Sequence, residues 1–159
     1  MTAVVIALFL GLAAWCDWRT RKIPNMLVFS FMLIGILCQL GNGEGVVAFG
    51  GIITAFFLTL IPVLCRGMGM GDQKLLMAVG AWTSYTEVYQ IAIGSLVSCL
   101  VFLICAPRTW RKLIHNMSVV SAEWYGHREV WLPDPTRSAL SFPYAIHLFL
   151  TYVFLHWVR

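Results

Sequence analysis

Two carboxylates stand apart from the other acids of this sequence. Asp17 closes the first apolar run and Asp72 opens a later one, so each sits where an apolar helix meets a polar loop. A carboxylate in such a place is costly to desolvate, and two brought close cannot both ionise easily, so one keeps a proton. A pair of that kind can hydrolyse a peptide bond. The ionised member takes a proton from water as the water attacks the carbonyl, while the protonated member donates a hydrogen bond and then its proton. Each acid alone also has a plainer explanation: Asp17 could pair with Arg19 or Arg21 in the headgroup layer, and Asp72 could simply begin a helix, where free N–H groups and the positive dipole end favour it. The surroundings of Asp72 tilt the balance toward chemistry. In Arg66-Gly67-Met68-Gly69-Met70-Gly71-Asp72-Gln73-Lys74-Leu75, three alternating glycines adjoin the acid, permitting unusual dihedrals and close approach of an extended backbone. By itself such a segment also fits a flexible helix connection.

Whether the two acids meet depends on the elements that carry them. Of 159 residues, 60% are hydrophobic and only 11% charged, more apolar surface than a soluble domain of this size can hide. The bilayer is the expected solvent. Apolar runs predict helices near Thr2 to Cys16, Asn25 to Leu40, Val46 to Cys65, Asp72 to Ser84, Val88 to Ala106 and Ser141 to Trp157, the fourth being the weakest span. The expected architecture is all-α: a polytopic membrane protein of about six transmembrane helices in one membrane-embedded domain, residues 1–159. The first run has no basic residue before it and no small-residue cleavage pattern at its end, so it reads as a retained helix. Across 107–137 the pattern becomes polar and tryptophan-rich, with Trp110, Leu113, Ile114, Met117 and Trp124 at helical spacing beside Arg108, Arg111 and Lys112. This predicts an amphipathic segment lying on the membrane surface.

Charge placement orients the bundle. Lys and Arg are retained in short cytoplasmic loops; here they fall in the first loop (Arg19, Arg21, Lys22), the third (Arg66, Lys74) and the fifth (Arg108, Arg111, Lys112, Arg128, Arg137), and the second and fourth have neither. Asp17 and Asp72 are therefore expected at one depth on the cytoplasmic side, with both termini on the other. The net charge of +4 belongs to that cytoplasmic face, where anionic lipid or an acidic partner would meet it; nucleic acid is a poor competing explanation. Cys16, Cys38, Cys65, Cys99 and Cys105 are scattered without C-x-x-C or zinc spacing and read as small buried hydrophobes, Cys16 drawing notice only because it adjoins Asp17. The four histidines show no ligand spacing. Neither a metal nor another cofactor is expected.

Gly69-x-Gly71-Asp72 followed by Lys74, with Asp17 upstream in Asp17-Trp18-Arg19-Thr20-Arg21-Lys22-Ile23-Pro24-Asn25, closely resembles the type IV prepilin peptidase family. Helix count, the approach to the last helix through Phe142-Pro143-Tyr144-Ala145 and both aspartate positions agree with it. The resemblance implies a bacterial inner-membrane aspartic endopeptidase that removes a short basic leader from a prepilin or pseudopilin precursor at the cytoplasmic face. It looks like the short form associated with Flp-type, tight-adherence pili. Asp17 and Asp72 match the family's catalytic aspartates. Gly69 and Gly71 would shape the loop, and Lys74 would hold Asp72, meet an acidic group of the substrate, or merely snorkel to the interface. Pro24 and Asn25 are expected to start the second helix, Asn25 near its cap. The cysteine-bearing cytosolic domain of longer members has no counterpart in the sequence, so neither their zinc site nor their N-methylation of mature pilin is carried over. A presenilin-type intramembrane peptidase also uses Gly-x-Gly-Asp, but its first aspartate follows a tyrosine and it carries a later Pro-Ala-Leu. A transport or assembly subunit with proton-carrying acids is the non-enzymatic alternative.

Overall fold

The computed structural model describes residues 2–20, 23–64, 68–105 and 144–158. They form α1 (Thr2–Thr20), α2 (Asn25–Gly41), α3 (Gly45–Leu64), α4 (Met70–Gly80), α5 (Tyr85–Cys105) and α6 (Tyr144–Val158). The all-α expectation holds. The amphipathic segment expected over 107–137 lies outside the described residues, as do Arg21, Lys22, Cys65, Arg66 and Gly67. The chain divides into two compact units, Met1–Ser98 with Pro143–Arg159, and Cys99–Phe142. Both acids belong to the first.

Three helices, α1, α3 and the Tyr85–Phe102 stretch of α5, are long and apolar enough to cross a membrane; α2 and α6 are shorter but equally apolar. Their outward faces are made of large apolar side chains such as Leu8 and Leu12 on α1, Phe57 and Ile61 on α3, and Leu96 and Leu100 on α5. Apolar residues turned outward along whole helices require lipid around them. The chain is a polytopic membrane protein. Of the described cysteines, Cys38 and Cys105 are exposed and Cys16 and Cys99 half-buried, so the expectation of buried thiols fails; in a bilayer a small apolar side chain is equally at ease facing outward.

α4 is the exception in this bundle. At 11 residues it rises only about 16 Å, half the roughly 30 Å of a hydrocarbon core, and it is sheathed by its neighbours. Leu75, Leu76, Ala78 and Val79 are fully buried, and the helix packs on α3 and α2. The crossing with α3 is made possible by glycine on both sides: a Cβ on Gly80 would lie 2.5 Å from the Gly51 carbonyl oxygen, and one on Gly51 would run into the backbone of Gly80 and Thr83. Beyond Gly80, Trp82 stacks on Phe31 of α2, which in turn lies flat on Phe9 of α1 at 3.7 Å. The Trp82 indole N–H also donates to the Phe31 carbonyl at 2.9 Å.

α1 runs a full turn past its expected end at Cys16. Nothing in Asp17-Trp18-Arg19-Thr20 breaks a helix, Arg19 complements the negative dipole end, and the Thr20 hydroxyl donates back to the Cys16 carbonyl at 2.8 Å. Pro24 disfavours helical geometry in Ile23 before it and stands as the N-cap of α2.

Candidate active site

The extra turn of α1 matters because it fixes the direction of Asp17. Ile6, Leu10 and Ala13 form the buried face of α1, and Asp17 continues that stripe at helical spacing. On α4 the same reasoning applies to Asp72, which stands one turn ahead of buried Leu75 and Leu76 and two ahead of Val79. Both carboxylates thus extend an apolar, inward face to the loop end of its helix, and both are half-buried. Asp72 senses Asp17. Asp72, in the first turn of a helix too short to span, has its carboxyl pushed up from 3.8 to about 6, first by burial and second by the negative charge of Asp17, with a hydrogen bond from the backbone of Gly69 pulling the other way. Loss of hydration and repulsion between like charges both favour the neutral acid, so Asp72 keeps its proton to a higher pH than an ordinary carboxyl.

α4 begins two residues earlier than expected, and that places Asp72 inside the first turn. Gly69 is the N-cap, extended at φ −72° and ψ 144°, and its carbonyl accepts from the N–H groups of Asp72 at 3.1 Å and Gln73 at 3.3 Å. The Gly69 backbone also bonds the Asp72 side chain, which is half of a capping box: the side chain in the first turn reaches back to the cap, while glycine has no side chain to return the bond. The two glycines serve space more than conformation. Neither Gly69 nor Gly71 has positive φ; among the described residues only Gly43 does. A Cβ on Gly69 would instead stand 3.2 Å from the Asp72 Oδ2, while the Cβ position of Gly71 opens onto free space.

Two neighbours of Asp72 reach sideways. The Lys74 ammonium donates to the Asn25 Oδ1 at 3.4 Å and lies 5.6 Å above the Phe29 ring, both on α2. The Gln73 amide donates to the Phe56 carbonyl of α3 at 3.4 Å. Asn25 is not the cap of α2; Pro24 holds that place without a side-chain bond, and the Asn25 amide is turned to Lys74 instead. The sequence carries no signal for Gln73, and none that Asn25 would face α4, because both depend on how three helices are rotated. Among the described residues no three His, Cys, Asp or Glu side chains gather in one place.

A wide groove lies elsewhere among the described residues. A cavity of about 640 Å³ runs between α1 and α6, lined by Val4, Leu8, Leu12 and Trp15 with Phe149 and Trp157. That is the outward face of α1, turned well away from the stripe ending in Asp17, and its lining is apolar. A pocket is the usual first guess for a site, but this one contains neither aspartate; its polar side chains are Tyr152 and His156, which stack on each other.

A model of the type IV leader peptidase family matches residues 4–104, a stretch that includes both acids and the glycine cap. The chain belongs to this family. Among relatives of this type IV leader peptidase family member is the prepilin leader peptidase/N-methyltransferase of Xanthomonas campestris pv. campestris, 28% identical over 109 residues, or 62% of this chain and 38% of that protein. The protein of the same name from Pectobacterium carotovorum subsp. carotovorum is 28% identical over 120 residues, or 70% of this chain and 42% of its own. The family member thus spans about two fifths of the length of the curated relatives it matches. No solved structure matches it.

Proposed function

We propose that the protein is an aspartic endopeptidase of the bacterial inner membrane that cuts the leader from a prepilin or pseudopilin precursor at the cytoplasmic face. The observation that carries this reading is that Asp17 and Asp72 both extend buried helix faces to the loop ends of α1 and α4, where burial first and the charge of Asp17 second lift the Asp72 carboxyl to about 6. Two carboxylates that share a proton can do both halves of peptide hydrolysis. Asp17 would be the ionised member that takes a proton from the attacking water. Asp72 would be the protonated member that hydrogen-bonds the scissile carbonyl and then protonates the departing amine. Gly69 leaves the Asp72 oxygen uncrowded, and the open side of Gly71 gives an extended substrate backbone room to reach it.

Orientation follows from charge. Arg19 lies in the last turn of α1 beyond Asp17, further Lys and Arg fill the first, third and fifth loops, and such loops stay in the cytoplasm. A basic leader would remain on that side while its apolar helix stays in lipid, presenting the junction at the depth of the acids. The names of the relatives support the same substrate class. Co-expression with a small protein built as basic leader, glycine and apolar helix, followed by mass measurement of its N-terminus, tests the reading. Loss of the leader only when the peptidase is present is expected; an unchanged precursor mass with every such candidate sinks it.

A further inference from the structure

Asp72, Gln73 and Lys74 are consecutive on α4, each rotated about 100° from the last, and they serve three different neighbours. Asp72 lies under the influence of Asp17 on α1, Gln73 is bonded to the Phe56 carbonyl of α3, and Lys74 is bonded to Asn25 of α2 above the Phe29 ring. This turn needs outside support. It opens with Gly69 at the cap and Gly71 in the first turn, and glycine is the poorest helix former after proline. The packed part of α4 starts only at Leu75. The buried stripe from Leu75 onward sets the rotation of the helix as a whole; within the glycine-bearing first turn, the side chains that leave it supply the remaining hold.

We propose that Gln73 and Lys74, with Asn25 as the partner of Lys74, are positioning residues: a two-point clamp to α3 and α2 that sets the rotation of the first turn of α4 and so aims Asp72 at Asp17. The inference rests on the reading of the two aspartates as the catalytic pair and adds the groups that hold them in register. Both clamp contacts are 3.4 Å long, at the weak end of hydrogen bonding, so their loss leaves the bundle folded. It shifts a reacting carboxyl instead, and small misplacements of catalytic groups are expensive in rate.

Steady-state cleavage of a precursor by the full chain in detergent, read as separate kcat and KM, tests the clamp together with amide hydrogen exchange over residues 68–76. Lys74→Met keeps the aliphatic stem over Phe29 and removes the ammonium; it is expected to lower kcat roughly tenfold with KM unchanged and to speed exchange in the first turn of α4. Asn25→Ala is expected to do the same, and the double variant to be no slower than either single one, since both break one contact. Lys74→Arg, which can still donate to Asn25, is expected to keep most of the rate. A rise in KM with kcat preserved would make Lys74 a substrate contact, and losses that multiply in the double variant would separate it from Asn25; either result overturns the clamp. If the unaltered protein cleaves nothing, the peptidase reading falls by itself, and the clamp is still decided by exchange: protection equal in Lys74→Met and the unaltered protein rejects it.

Discussion

At its C-terminal end α4 presses Gly80 against the backbone of α3 and hands over to Trp82, whose ring is stacked on Phe31 and hydrogen-bonded to it at 2.9 Å. At its N-terminal end the same helix offers an open glycine, a half-buried acid and two side-chain contacts of 3.4 Å. One end is wedged where nothing larger fits; the other has space around it. The contrast separates two settings of glycine within 11 residues: Gly80 admits a neighbouring helix, and the Cβ position of Gly71 meets none of the described residues. A short helix gripped at one end is a suitable mount for a reactive group, because the buried end fixes its axis while the free end stays accessible.

The sharpest way to break this division of labour is at the acids. Asp17→Asn and Asp72→Asn each keep the shape of the side chain but cannot exchange the required proton, so each is expected to lower precursor cleavage by about a thousandfold or more while the protein still inserts. Cleavage near the unaltered rate by either variant, shown to be inserted, would end the paired-aspartate mechanism. Next in size is Gly80→Ala. Its added carbon would meet the Gly51 carbonyl at 2.5 Å, and backbone cannot swing aside as a side-chain tip can, so a loss of about 1–3 kcal/mol is expected. Thermal unfolding in detergent measures it, and an unchanged midpoint would mean that α3 and α4 are not locked there.

Gly71→Ala probes the other end and should give the opposite pattern. Its Cβ meets nothing within 4 Å, and replacing a helical glycine by alanine favours the helix by about 0.5–1 kcal/mol, so stability should be equal or slightly higher. Cleavage should nevertheless drop, roughly tenfold, if an extended substrate backbone uses that space. A variant as active as the parent protein would make the glycine a bystander.

Much of this organisation is legible in the residues. Long apolar runs, and Lys and Arg gathered at and between alternate helix ends, are direct consequences of bilayer solvation, so the six described helices and the placing of both acids at loop-facing helix ends followed without coordinates. Asp72 could be singled out because three alternating glycines beside an acid are hard to explain as packing. What stayed hidden depends on rotation and on relations between helices. The continuation of α1 to Thr20 turns Asp17 inward, yet Asp17-Trp18-Arg19-Thr20 contains polar residues that look like loop. Gly69 and Gly71 were expected to permit unusual dihedrals and the close approach of an extended backbone; neither has positive φ, and what the structure shows at both is absence of bulk. The partnership of Asn25 with Lys74 joins residues 49 apart in sequence, and no local pattern announces it.

The smallest expected effect is on stability, and it runs against the loss of activity. Asp72 has a carboxyl raised to about 6 in the folded protein, whereas an unfolded chain returns it to the ordinary 3.8. Between those values the folded state binds more protons than the unfolded one, so stability falls as pH rises through this window and is lowest above about 6, where the buried acid must ionise beside Asp17. Asp72→Asn removes that cost because its amide is never charged. At pH 7.5 the variant should therefore melt a few degrees above the unaltered protein, and near pH 4, where the acid is already neutral in the fold, the gain should shrink toward zero. Thermal unfolding of both proteins in one detergent across that pH range makes the comparison. A variant less stable than the parent at pH 7.5, or a gain that does not vary with pH, would mean that the Asp72 carboxylate is comfortable in its place and that the working end of α4 stores no electrostatic strain.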